Sequence, residues 1–78
     1  MNKHLNSFHE SIYNVCNQHI FEKNTSETRS LIEQELNSSP YSAIFNVVRH
    51  PVDQGKIVIL YYWNDSDTLG TYVFGDLL

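Results

Sequence analysis

Cys16 and His19 are the pair of side chains with the most obvious chemical potential, a thiol and an imidazole three positions apart. On a helix that spacing puts both on one side, where they could offer two ligands to a zinc ion. A structural zinc site needs four ligands, and no second pair stands at suitable spacing; His4, His9 and His50 are scattered singly. The expected role is a small buried thiol beside a partly exposed imidazole. Cys16 with His50 as nucleophile and base is a weaker reading still. Cys16 falls in mid-helix, not at a helix N-terminus, where a thiol pKa is lowered.

The acidic residues fare no better. Asp65, Asp67, Gly70 and Asp76 match positions 1, 3, 6 and 12 of a calcium loop, but Leu69 and Val73 stand at the fifth and ninth positions. The flanking segments also read as strands rather than helices. Glu33 and Glu35 point to different sides of a helix, so they form no acid–base pair. The three glycines lie far apart, and no phosphate-cradling loop exists. Tyr61, Trp63 and Tyr72 could stack bases as sheet aromatics do in RNA-recognition folds, but the glycine-aromatic motif and flanking basic residues are missing. No catalytic residue, cofactor or metal site is expected, and the chain is not expected to be an enzyme.

Composition narrows the partners. Seventy-eight residues make one small domain of marginal stability. Five Lys and Arg against nine Asp and Glu leave a formal charge of −4. Lys3, Lys23, Arg29, Arg49 and Lys56 are spread singly, so nucleic-acid binding is disfavoured for want of a basic patch. A lone cysteine rules out an internal disulfide and fits a reducing cytosol. No apolar run approaches the length of a signal peptide or a membrane span, so a cytoplasmic location is expected.

The elements that must position these residues divide the chain in two. All five glutamates precede residue 36 and all four aspartates follow residue 52. Glu suits helix interiors, whereas Asp prefers caps and turns. Leu5, Phe8, Ile12, Val15 and His19, widened by Cys16 and Ile20, predict an amphipathic helix over about 3–22. Asn24 with Glu27 three residues on predicts a capped second helix over 25–37, with Leu31, Ile32 and Leu36 facing inward. Asn37-Ser38-Ser39-Pro40 ends it. From Tyr41 the period becomes two. Tyr41–Val48, Lys56–Trp63 and Leu69–Phe74 predict three strands, with a loop over 50–55 in which Gly55 supplies a positive φ, and a turn over 64–67. The expected fold is α+β, two N-terminal helices on one face of a three-stranded antiparallel meander (ααβββ).

A hairpin closing between Arg49 and Lys56 would pair Val47 with Val58, Phe45 with Leu60 and Ala43 with Tyr62. Those residues then form the core. Ile44, Val48, Ile57, Ile59, Tyr61 and Trp63 would line the opposite face, too apolar for a water-facing sheet. Either long side chains or the Gly75-Asp76-Leu77-Leu78 tail fold over that face, or the register is off by one, or the face binds a partner. The expected interface is Ile57, Ile59, Tyr61 and Trp63, rimmed by Asp65 and Asp67. The expected function is protein binding by a small inhibitor, immunity-type or adaptor protein, of the kind phages and mobile elements carry. The alternatives are a self-associating accessory subunit that forms a homodimer through this face, and a single-stranded nucleic-acid binder.

Overall fold

The computed structural model describes residues 2–41 and 43–75, with side chains from residue 7 onward. Helices α1 (Asn2–Asn17) and α2 (Ser26–Asn37) precede strands β1 (Ala43–Arg49), β2 (Ile57–Trp63) and β3 (Thr68–Phe74). The strands form one antiparallel sheet in the order β1-β2-β3, with both helices on the same face. The ααβββ arrangement expected from the change of period is therefore present.

α1 stops earlier than its apolar stripe suggests. Beyond Asn17 the chain tightens into bonds three residues apart, with the His19 amide donating to the Cys16 carbonyl at 2.9 Å. Such 3₁₀-type turns often finish a helix by satisfying its last carbonyls. Phe8, Ile12 and Cys16 form the buried stripe, and the turn carries His19 inward beside them.

α2 is capped by Thr25, not Asn24. The Thr25 hydroxyl oxygen accepts from the Thr28 amide at 3.2 Å, satisfying an otherwise orphaned donor. Asn24 is occupied elsewhere: its side-chain amide donates to the carbonyls of Gln54 (2.8 Å) and Lys56 (3.0 Å), tying the helix start to the β1–β2 loop. Thr28, Ile32 and Leu36 make the buried stripe. Leu31, expected inward, faces solvent, because a step of four from Thr28 selects the adjacent position.

The register differs from expectation by one residue. Ala43 pairs with Trp63, Phe45 with Tyr61, Val47 with Ile59 and Arg49 with Ile57. The hairpin closes at His50, whose amide donates to the Lys56 carbonyl at 3.1 Å. Within the loop, His50 Nδ1 accepts from the amides of Val52 and Asp53, and Asp53 Oδ1 accepts from the Gly55 amide. These bonds clamp residues 51–55 as the connection, so odd residues pair with odd. Cross-strand partners share a face, so the single-residue change exchanges the two faces of β2. Gly55 does not adopt a positive φ; Asp67 does, at 52°, in the β2–β3 turn.

Phe8 sits at the middle of the core. Its ring meets Tyr61 edge-on at 4.8 Å between centroids, Tyr41 edge-on at 5.0 Å and Phe45 stacked at 5.6 Å. Such arrangements set the negative face of one ring against the positive edge of the next. Ile57, Ile59, Val47 and Phe74 complete the layer beneath the helices.

Candidate functional site

The expected docking face is the core face. Ile57 and Ile59 are each 0% exposed and Tyr61 is 8% exposed, all beneath the helices. Trp63 is half-buried, with its ring 4.6 Å from Phe8. A surface already filled by the chain's own helices offers these four side chains no room for a docking partner. Tyr61, Trp63 and Tyr72, the candidate base-stacking set, share this covered face, with Tyr72 also packed on the core. Val58, Leu60 and Tyr62, expected in the core, point the other way.

Among the described residues the opposite face is open. The paired registers build three cross-strand rows there: Val48–Val58–Val73, Asn46–Leu60–Thr71, and Ile44–Tyr62–Leu69. Not one of these side chains is charged. Ile44 is 57% exposed, Leu69 79% and Val73 51%. Leu60, on the central strand and hence with neighbours on both sides, is still 38% exposed. Ile44, Leu60, Tyr62, Leu69 and Thr71 outline a shallow open groove across the sheet. The C-terminal tail, the expected alternative cover, has its residues 76–78 outside the described part of the chain.

Of the expected rim, Asp65 and Asp67 are exposed on the β2–β3 turn, at one end of this open face. The Tyr62 hydroxyl donates to Asp67 Oδ1 at 2.7 Å, and that bond to a carboxylate raises the pKa of Tyr62. Asp67 thus fixes the Tyr62 side chain across its end of the open face. The signal for the open face was in the sequence, since β2 is apolar on both sides. Which side is covered depends on where the β1–β2 hairpin closes.

The other candidate chemistry resolves into structure. Cys16 is wholly buried, and burial, followed by the nearby charge of Glu35, pushes its thiol up to about 12. A thiol so held carries almost no thiolate near neutral pH and is a poor nucleophile and ligand. His19 has Nδ1 2.9 Å from Glu22 Oε1 and Nε2 3.3 Å from both Glu35 carboxylate oxygens. Burial lowers its pKa, but the hydrogen bonds and charges of Glu22 and Glu35 outweigh that and leave it raised. His9 shares a 3.0 Å hydrogen bond with the Tyr61 hydroxyl, and His50 holds its loop. Among the described residues no group of three or more His, Cys, Asp or Glu could hold a metal ion. Asp65, Asp67 and Gly70 lie on a hairpin rather than a calcium loop, and Asp76 is outside the described residues. No described helix is long and apolar enough to cross a membrane.

Two side chains that sequence reasoning missed act on the edge of β1. The Asn37 side chain accepts from the Phe45 amide at 2.9 Å through Oδ1 and donates to the Phe45 carbonyl at 3.1 Å through Nδ2. The Val47 amide donates to Glu33 Oε1 at 2.8 Å. Both come from α2 and take the place of a neighbouring strand. No local pattern in the sequence marks them.

No family model, curated protein or solved structure matches this chain.

Proposed function

We propose that this protein is a non-catalytic protein-binding module that docks the open face of its sheet on a larger protein, in the manner of a small adaptor or inhibitor. The observation that supports this reading is the uncharged face formed by Ile44, Leu60, Leu69 and Val73, exposed among the described residues. A sheet with one face in water ordinarily alternates with polar residues, and this one does so only in the Asn46–Leu60–Thr71 row. Contiguous exposed apolar surface marks interaction sites, and its burial contributes about 25 cal/mol per Å². Tyr62, pinned by Asp67, supplies an aromatic anchor of the type that dominates binding energy. The absence of charge on the face disfavours a nucleic-acid partner, whose phosphates require basic side chains.

The test is affinity capture from the native host with wild-type chain and with Leu60→Glu. Leu60 lies between Asn46 and Thr71, so a carboxylate there meets polar neighbours and should leave the circular dichroism unchanged. A partner held by wild type and lost by the folded variant supports the reading. Equal capture by both overturns it.

A further inference from the structure

We infer that the free edge of β3 pairs antiparallel with β3 of a second copy, about a two-fold axis at Thr71, making one continuous sheet. The argument begins with the difference between the two edges. At β1, the main-chain groups of Phe45 and Val47 that face away from β2 are taken up by Asn37 and Glu33. Hydrogen-bonding direction alternates along an antiparallel ladder. In the observed registers, Ile57, Ile59, Tyr61 and Trp63 therefore direct their main-chain groups towards β3. Leu69, Thr71 and Val73 consequently direct theirs out of the sheet. Among the described residues no loop amide or side chain meets them.

An edge left in this state is unusual, because natural sheets blunt their edges with charge, proline, bulges or cover. β3 reads TLGTYVF, with no charge and no proline, and its register with β2 is unbroken by a bulge. The same neutrality means that a copy laid against itself brings no like charges together along the strand. Outward groups at 69, 71 and 73 pair only when odd residues meet odd. Centring the axis on Thr71 does this while overlapping the whole strand. Leu69 then stands beside the second copy's Val73 on the open face, and the two Thr71 side chains meet at the axis.

The same register sets Asp67 opposite the second copy's Gly75, where the Lys56 side chain lies 3.3 Å from the Cβ position and its ammonium pairs with Asp53 of its own chain at 3.5 Å. Because β1 is blocked by α2, β3 is the one free edge among the described residues. The assembly therefore closes as a dimer instead of growing into a fibre. It joins two open apolar faces into one, but it does not depend on what those faces bind.

The experiment uses the full chain. Sedimentation equilibrium should give twice the monomer mass for wild type and a folded monomer for Thr71→Pro, which removes the amide at the axis. Leu69→Lys, a charge on the edge, should also dissociate the dimer and serves if the proline variant does not fold. Under mild oxidation Thr71→Cys should form a disulfide-linked dimer, since a directly opposed pair has Cα atoms about 5.5 Å apart. Val73→Cys, whose opposite residue is Leu69, should not. Buried Cys16 adds little background. A wild-type monomer at high concentration overturns the proposal. So does a dimer that survives both Thr71→Pro and Leu69→Lys, or cross-linking that is equal at the two cysteine positions. A dimer broken by Leu60→Glu and retained by Thr71→Pro would instead be a face-to-face pair, which also overturns edge pairing.

Discussion

The ring of Tyr61 fills the space that a side chain at Gly70 would need. The two residues are cross-strand partners, and a methyl carbon on Gly70 would lie 2.5 Å from the ring Cε1. The ring cannot move aside cheaply, because it is packed edge-on against Phe8 and its hydroxyl is bonded to His9. Gly→Ala replacements often stabilise by about 0.4–1 kcal/mol through the unfolded chain, whereas overpacking costs about 1–3 kcal/mol. Here the contact decides the sign. Gly70→Ala should lower stability in urea denaturation, and most of that loss should vanish in a Tyr61→Leu background.

Neighbouring residues of β2 should differ in their sensitivity to truncation. Ile59 is 0% exposed, so Ile59→Ala should cost roughly 2–5 kcal/mol, enough to threaten folding in a domain this small. Leu60→Ala should cost about 1 kcal/mol or less, as a half-exposed face position. Equal losses would mean that the open face is covered in solution.

His19 should give the fold a dependence on pH near neutrality. Its folded pKa is raised above an unfolded value of about 6.5, since Glu22 and Glu35 outweigh its burial. Binding more protons folded than unfolded, it contributes stability that is fully present below about pH 6.5 and is lost as pH rises through the folded pKa. Denaturation of wild type and His19→Gln between pH 5 and 8.5 should show the wild-type advantage shrinking as pH increases. Cys16, the other titratable group beside Glu35, stays protonated throughout that window.

The Cys16 thiol should be silent in the native state. With no exposed surface and a pKa pushed up to about 12, it should react with a thiol reagent at pH 8 only through unfolding. Labelling in water should be slow, and it should accelerate with added denaturant in step with loss of circular dichroism.

Asn37 should prove to be an edge guard as well as a helix residue. Asn37→Ala leaves both the amide and the carbonyl of Phe45 without their side-chain partner. The expected loss is about 1 kcal/mol, because water reaches the exposed edge and replaces part of the bonding. The larger effect should be on assembly. Combined with Glu33→Ala, which also frees the Val47 amide, Asn37→Ala leaves β1 unblocked as well as β3, and sedimentation should then detect species beyond the dimer.

The amino-acid sequence alone determined the element order, because the apolar period changes from 3.6 to 2 near Tyr41 and each period admits one kind of regular backbone. It also determined that the central strand is apolar on both sides, since KIVILYYW carries apolar residues at both odd and even positions while two helices can cover only one face. What it left open was which side. A side-chain period of two means that moving the hairpin closure from Arg49 to His50 exchanges Leu60 for Ile59 and Tyr62 for Tyr61. That choice rests on loop hydrogen bonds from His50 and Asp53, which leave no trace in apolar patterning. The blocking of β1 by Glu33 and Asn37, and the clasp of His19 by Glu35, likewise join residues far apart in the chain. Periodicity reports the environment along one element, whereas these contacts arise only when separate elements pack, so tertiary structure alone decided them.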